Sequence, residues 1–337
     1  MAKVKGIQGL DCMAPADEIV PLVLRAQLKS MCALRKKALD WEDPEGVHDM
    51  RVLSRRLRSS MSDFKPYLRK ATLPLQKLTT IAKKLGAVRD EDVALVALAE
   101  LKSQAPGLAA EGIEILAEEH RRQRKDARAA LKVAIKSSVV SEFRKEFLNR
   151  LRDMTVVVPG NPKQADHAGV FRCVGLAVIN ERLEELCDSS RHIYFPLENK
   201  ELHELRILAK RLRYAIELFA VCWGKELGDI ATEISLLQTS LGELHDCDVW
   251  MDSLGTRLKQ NARKNKNDQD STRLREGAGW LLNHFARERM EHYSDALTRW
   301  QRWEAEGLLE RLKSILDEGN SSGQEEIIPA LSCLTVP

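Results

Sequence analysis

Two stretches of this 337-residue chain set histidine beside arginine and lysine at helical spacing. His48, Arg51, Arg55 and Arg58 form the first set, and His203, Arg206, Lys210 and Arg213 the second. At about 100° per residue, each set falls within an arc of roughly 80° on one helix face. A core stripe runs beside each arc: Met50, Leu53, Leu57, Met61 and Phe64 in the first, Leu205, Leu208, Leu212, Ile216 and Phe219 in the second. Like charges three or four positions apart repel by a few tenths of a kcal/mol per pair. Neither arc carries a well-placed acid, because Asp49 and Glu204 lie about 100° from the histidines. A single basic ridge reads as a solvated face. Two nearly identical ridges, each flanking a core stripe, point instead to an extended anion that relieves the repulsion. The arginine fork matches phosphate oxygens, and lysine adds a point charge. Arg56 and Arg211 point elsewhere on the wheel and are expected in surface ion pairs.

A second pair of blocks follows the ridges: Leu85-Gly86-Ala87-Val88-Arg89-Asp90-Glu91-Asp92-Val93, and Leu241-Gly242-Glu243-Leu244-His245-Asp246-Cys247-Asp248-Val249. Arg89 and His245 occupy equivalent places, and Arg89 is a further candidate anion contact. Residues two apart on a helix do not face each other. Asp90 with Asp92, and Asp246 with Asp248, are therefore expected to be structural carboxylates that orient an arginine, not a metal or catalytic pair. The dipeptides His48-Asp49 and His245-Asp246 evoke metal-dependent phosphohydrolases, but neighbours on a helix diverge and need ligands from elsewhere. No protein-held metal, no cofactor and no catalytic residue is expected. His284 and His292 read as helix-surface residues. Arg121, Arg122, Arg124, Lys125 and Arg128, with Arg287 and Arg289, form basic segments of which half could line the same channel, the rest being solvated. Arg25, Lys29 and Arg35 are ambiguous in the same way. No phosphate-binding glycine loop, nucleophile elbow or zinc spacing occurs.

Helical periodicity dominates the elements that must carry these residues. Helices are expected over Glu18 to Leu39, from Asp43-Pro44 to about Lys65, from Pro74 onward, over Gly112 to Lys136 and over Glu142 to Arg152. After a break at 155–167, others follow over Val170 to Cys187, Glu201 to Val221, Asp229 to Leu254, Gly277 to Trp303 and Leu308 to Asp317. The stretch 255–277 reads as a polar loop, and the tail 318–337 as loosely packed. The two pairs of blocks recur in the same order at offsets of 155 and 156 residues (203 against 48, 241 against 85). Such repetition argues for an internal duplication. The fold class expected is all-α: a single domain over 15–312, with halves 15–154 and 168–312 packed as pseudo-symmetric bundles around a central basic groove or pore.

Charge narrows the partners. Lys and Arg total 53 against 50 Asp and Glu, a net +3, so any basic patch is local and balanced elsewhere. Aromatic residues make up only 5%, thin for stacking single-stranded bases, so nucleic acid is disfavoured as a partner. No apolar run reaches a membrane span, and Met1 to Leu10 has no apolar signal core. Seven scattered cysteines without a C-x-x-C pair suggest reduced thiols and a cytoplasmic location.

Taken together, His-x-x-Arg-x-x-x-(Arg/Lys)-Arg-Leu-Arg followed by Leu-Gly-x-x-(Arg/His)-Asp-x-Asp-Val, both occurring twice, resembles the CHAD family, the conserved histidine α-helical domain. The resemblance runs from about residue 15 to 312. It implies two helical bundles around a basic pore, inorganic polyphosphate as ligand without catalysis, and association with polyphosphate granules. Its implied contacts are His48, Arg51, Arg55, Arg58, Arg89, His203, Arg206, Lys210 and Arg213. His245 in place of Arg89 is a departure from the first repeat. The triphosphate-tunnel signature Glu-x-Glu-x-Lys is not found near the amino terminus, which suggests a stand-alone binding module. The competing expectations are a metal-dependent phosphohydrolase acting on polyphosphate or nucleotides, and an RNA-binding protein that uses the same groove.

Overall fold

The start of the first basic helix is written in Asp43-Pro44. The Asp43 carboxylate accepts hydrogen bonds from the backbone N–H groups of Glu45 and Gly46, at 3.0 and 3.2 Å. Pro44 takes the first helical position, where its missing N–H has no intrahelical partner to lose. In the computed structural model, which describes residues 7–70, 72–156, 169–261 and 269–325, this helix is Pro44–Phe64 (α3). It follows Ala16–Ala33 (α1) and Arg35–Ala38 (α2), which divide at Leu34 the single helix expected over Glu18 to Leu39. Pro66 sits in a 3₁₀ turn, Lys65–Tyr67, that ends α3. Next come Leu75–Gln104 (α4), Gly107–Ala134 (α5) and Ser137–Arg152 (α6). Leu68–Arg69 (β1) pairs antiparallel with Thr155–Val156 (β2), so the first two residues of the expected linker form a strand. Residues 157–167 of that linker lie outside the described residues.

Phe171–Ser189 (α7), Asn199–Phe219 (α8), Lys225–Asn261 (α9), Gln269–Glu306 (α10) and Leu308–Glu325 (α11) complete an all-α fold. Among the described residues the only strands are β1 and β2. The core stripes behave as their periodicity requires. Met50, Leu57, Met61 and Phe64 are buried on α3, as are Leu205, Leu208, Leu212, Ile216 and Phe219 on α8; Leu53 is half-buried.

The chain divides into two compact units. One comprises residues 1–169 and 246–289, the other 170–245 and 290–337. α9 and α10 each supply residues to both.

The polar stretch 255–277 is not a loop over most of its length. Its first seven residues continue α9 to Asn261, and α10 begins at Gln269; residues 262–268 lie outside the described residues. Apolar periodicity carries through the polar composition, because Leu254, Ala278, Leu281 and Phe285 join Ile113 and Leu116 in one buried cluster that Leu258 and Leu274 flank. Ion pairs to α5 hold the polar faces, Arg257 with Glu119 and Arg273 with Glu111 at 2.6 Å. Gly112 and Gly277 let the backbones of α5 and α10 meet: a Cβ on Gly112 would lie 1.9 Å from the Arg273 carbonyl oxygen. The expected tail is likewise helical as far as Glu325, and residues 326–337 lie outside the described residues.

Four cysteines, Cys32, Cys173, Cys187 and Cys247, are free thiols. Cys12 and Cys222 are disulfide-bonded. This corrects the expectation of uniformly reduced thiols, and with it the argument from thiols to a reducing compartment.

Candidate functional site

In the first unit the basic arc of α3 faces the Leu-Gly-x-x-Arg-Asp segment of α4. The Arg51 guanidinium lies against Gly86, its Nε 3.7 Å from the place a Cβ would take. Its Nη2 reaches the Asp90 carboxylate at 3.4 Å. Burial raises the Asp90 pKa above the ordinary aspartate value, with Arg51, Arg55 and Arg89 opposing that push. The Asp90 side chain nonetheless keeps 69% of its surface open. Burial lowers the His48 pKa; Arg89 and Arg51 lower it further, and Glu45 and Asp49 oppose them. His48 is therefore neutral at pH 7 in the free protein, within a field that is already positive. Arg51, Arg55 and Arg89 thus meet around one carboxylate, and His48 lies close enough to Arg51 and Arg89 to feel both. Arg58 is half-buried farther along α3.

In the second unit α8 and the first part of α9 repeat these contacts. The Arg206 Nε lies 3.5 Å from the place a Cβ would take on Gly242. The His203 ring packs on His245 with centroids 3.9 Å apart and planes inclined by 32°, where His48 has Arg89. Burial, then Arg206 and Lys210, push the His203 pKa down, with Glu204 in opposition. Its Nδ1 is buried and has no hydrogen-bond partner among the described residues.

Arg213 stands apart from this group. It is buried, donates from Nε to the Gln238 side chain at 2.8 Å, pairs with Glu217 and packs over the Tyr214 ring. Its charge is committed within the unit.

The second aspartate of each Asp-x-Asp is structural, and its partners are now defined. Asp92 accepts from Arg124 Nε at 2.5 Å and from Arg128 Nη2 at 3.4 Å. Arg128 also donates to the Asp40 carbonyl at 2.8 Å. Asp248 accepts from Arg289 Nε at 2.7 Å. Arg124, Arg128 and Arg289 are framework residues, not part of a solvated or ligand-lining basic face. Arg121 is exposed and paired with Glu114 and Glu118.

Glu45, His48 and Asp49 offer ligand atoms within 4.8 Å of one another. The His-Asp dipeptide therefore does gain a third potential ligand, one turn earlier on its own helix. The group lies in the first turns of α3, where the helix dipole is positive, and beside Arg51 and Arg89. Both features disfavour a cation.

The glycine seats were not anticipated from the sequence. A helical glycine costs about 1 kcal/mol relative to alanine, so glycine at equivalent helical places in both blocks was the signal available. Glu217, four residues on along α8, was a local signal for Arg213 that the expectation of no well-placed acid overlooked, whereas nothing local marked Gln238.

Comparisons with known proteins agree with this architecture. The solved structure of the CHAD domain from the plant Ricinus communis is similar at 20% identity, covering 87% of this chain and 94% of that one, with a TM-score of 0.66. PptA from Streptomyces chartreusis is similar at 15% identity, covering 86% of this chain and 100% of that one, with a TM-score of 0.63. At these identities the likeness is one of fold. No curated protein sequence matches this chain significantly. The sequence profile of the CHAD domain matches residues 22–255, a span that contains both basic ridges and both Leu-Gly blocks, and this chain belongs to the CHAD domain family.

Proposed function

We propose that this chain binds inorganic polyphosphate, without catalysing its cleavage, through the two basic clusters. The observation that carries this reading is the repeated seating of Arg51 on Gly86 and Arg206 on Gly242, each beside a histidine whose pKa is depressed by burial and then by its cationic neighbours. Cations held together at a cost in repulsion gain most from an anion with closely spaced charges. Polyphosphate offers about one charge per phosphate and no base to read, which suits a cluster without aromatic platforms. Many weak contacts along a repeating chain reinforce one another. Recruitment to polyphosphate granules would follow from this activity.

The test is a calorimetric titration of long-chain polyphosphate, in chelator, into the wild type and the Arg51→Glu/Arg206→Glu double variant. Tripolyphosphate and single-stranded DNA serve as parallel ligands. Metal-independent binding of polyphosphate that the double variant loses is expected. Equal affinity for DNA, or an unaffected double variant, would overturn the proposal. Phosphate release that depends on an added divalent cation would favour a phosphohydrolase. Retention of a short structured RNA against excess polyphosphate would favour RNA binding.

A further inference from the structure

We infer that Asp90 is a built-in competitor for the anion site of the first unit, and so sets how strongly an anion must bind to occupy it. This rests on the reading of that cluster as a polyanion site.

The geometry places a carboxylate where a phosphate would be drawn. Asp90 Oδ1 lies 3.4 Å from Arg51 Nη2, and Arg55 and Arg89 both act on the same group. Gly86 opens the notch in which this happens: the place of its absent Cβ is 3.7 Å from Arg51 Nε and 4.0 Å from Asp90 Oδ2. The contrast with Asp92, two residues on, is informative. Asp92 is buried and its oxygens are taken by Arg124 and Arg128, so it is fixed framework. Asp90 is mostly exposed and holds Arg51 by a long contact, so it can be pushed aside. An isolated phosphate must then replace one anion by another, gaining little. A chain brings several linked phosphates to the arginines at once, and tethering raises their local concentration enough to displace the carboxylate. Asp90 would thus set a threshold of affinity that every anion must pass, met most readily by linked phosphates.

The experiment is calorimetry of long-chain polyphosphate, tripolyphosphate and orthophosphate into wild type, Asp90→Asn and Asp90→Ala, each with its melting temperature recorded. An exposed ion pair is worth about 0.2–1 kcal/mol, which corresponds to affinity rising by about 1.5- to 5-fold when the competitor is removed. Both variants are expected to bind long-chain polyphosphate and tripolyphosphate more tightly by such a factor, with a steeper loss of affinity as salt is added. Weaker binding by both variants at unchanged melting temperature would show that Asp90 instead orients Arg51, and would overturn the inference. Unchanged affinity would make Asp90 a bystander and overturn it equally. If the wild type binds none of the three ligands, the polyphosphate reading itself falls. If the wild type binds and only the variants disappoint, the reading stands and this inference alone falls.

Discussion

His48 and His203 carry the same message in two places. Each is partly buried among cations, so its pKa in the folded protein lies below the ordinary histidine value. A depressed folded pKa means that the unfolded chain takes up protons first as pH falls. The stability these histidines contribute is present above about pH 6.5 and is lost as pH drops through their folded pKa. Thermal melts of the ligand-free protein at pH 7.5 and 5.5 are expected to show this loss, and His48→Gln/His203→Gln is expected to reduce it. Bound phosphate acts in the opposite direction: it raises both pKa values, so polyphosphate affinity is expected to strengthen as pH falls below about 6.5. Calorimetry showing the same affinity from pH 5.5 to 8 would take both histidines out of contact with the ligand. The glycine seats yield a graded prediction at the same scale. A Cβ on Gly242 would meet Arg206 at ordinary contact distance. Gly242→Ala should therefore retain binding and raise stability by up to about 1 kcal/mol. Gly242→Val should displace the guanidinium and weaken polyphosphate binding in a helix that still folds, as circular dichroism and calorimetry together can establish.

Helices in this protein are held to one another by buried charge as well as by apolar packing. Asp92 ties α4 to Arg124 and Arg128 of α5, and Asp248 ties α9 to Arg289 of α10. The side chains of Arg128 and Arg289 are only 2% and 7% exposed. Removing one partner of such a pair strands the other in a poorly solvated place, at about 3–5 kcal/mol. Asp92→Ala is expected to lose stability of that order in urea unfolding, and a loss below about 1 kcal/mol would mean that water reaches Arg128 freely. The crossing of α5 and α10 depends on the absence of side chains. With the Arg273 carbonyl 1.9 Å from the place of a Cβ on Gly112, Gly112→Ala must separate the two backbones. Its expected cost is about 1–3 kcal/mol, in the range of other overpacked interiors. The same unfolding assay reads it, and a neutral result would show that the crossing can slide.

Over the whole molecule, 53 basic and 50 acidic residues nearly cancel, so long-range attraction to polyanions in general is weak and affinity must come from local clusters. Exposed contacts of this kind are screened over about 8–10 Å at 0.1–0.15 M salt. Polyphosphate that binds only the folded state stabilises it by about 2.7 kcal/mol when present at a hundred times its dissociation constant. A rise in melting temperature with long-chain polyphosphate, which shrinks as salt is added, is the expected outcome in a thermal-shift assay. A rise that persists in high salt would indicate contacts other than charge.

By itself the sequence determined what is local. Periodicity of 3.6 identified the helical class and the core stripes of α3 and α8. Asp43-Pro44 marked where α3 begins, and the repeated His-x-x-Arg ridges marked the candidate site. The spacing of Asp90 and Asp92 already excluded a facing acid pair, because side chains two apart on a helix diverge whatever surrounds them. Tertiary structure decided what surrounds each charge. Arg206 and Arg213 are equivalent in a helical wheel, yet one lies on Gly242 and the other is buried against Gln238 and Glu217. Arg124 and Arg128 look like a solvated run until Asp92 is brought to them. The stretch 255–277 looks like a loop until α5 covers its apolar side. Glu217 apart, the partners are distant in sequence, and the gain from pairing a buried charge or covering an apolar stripe exists only once the helices have met.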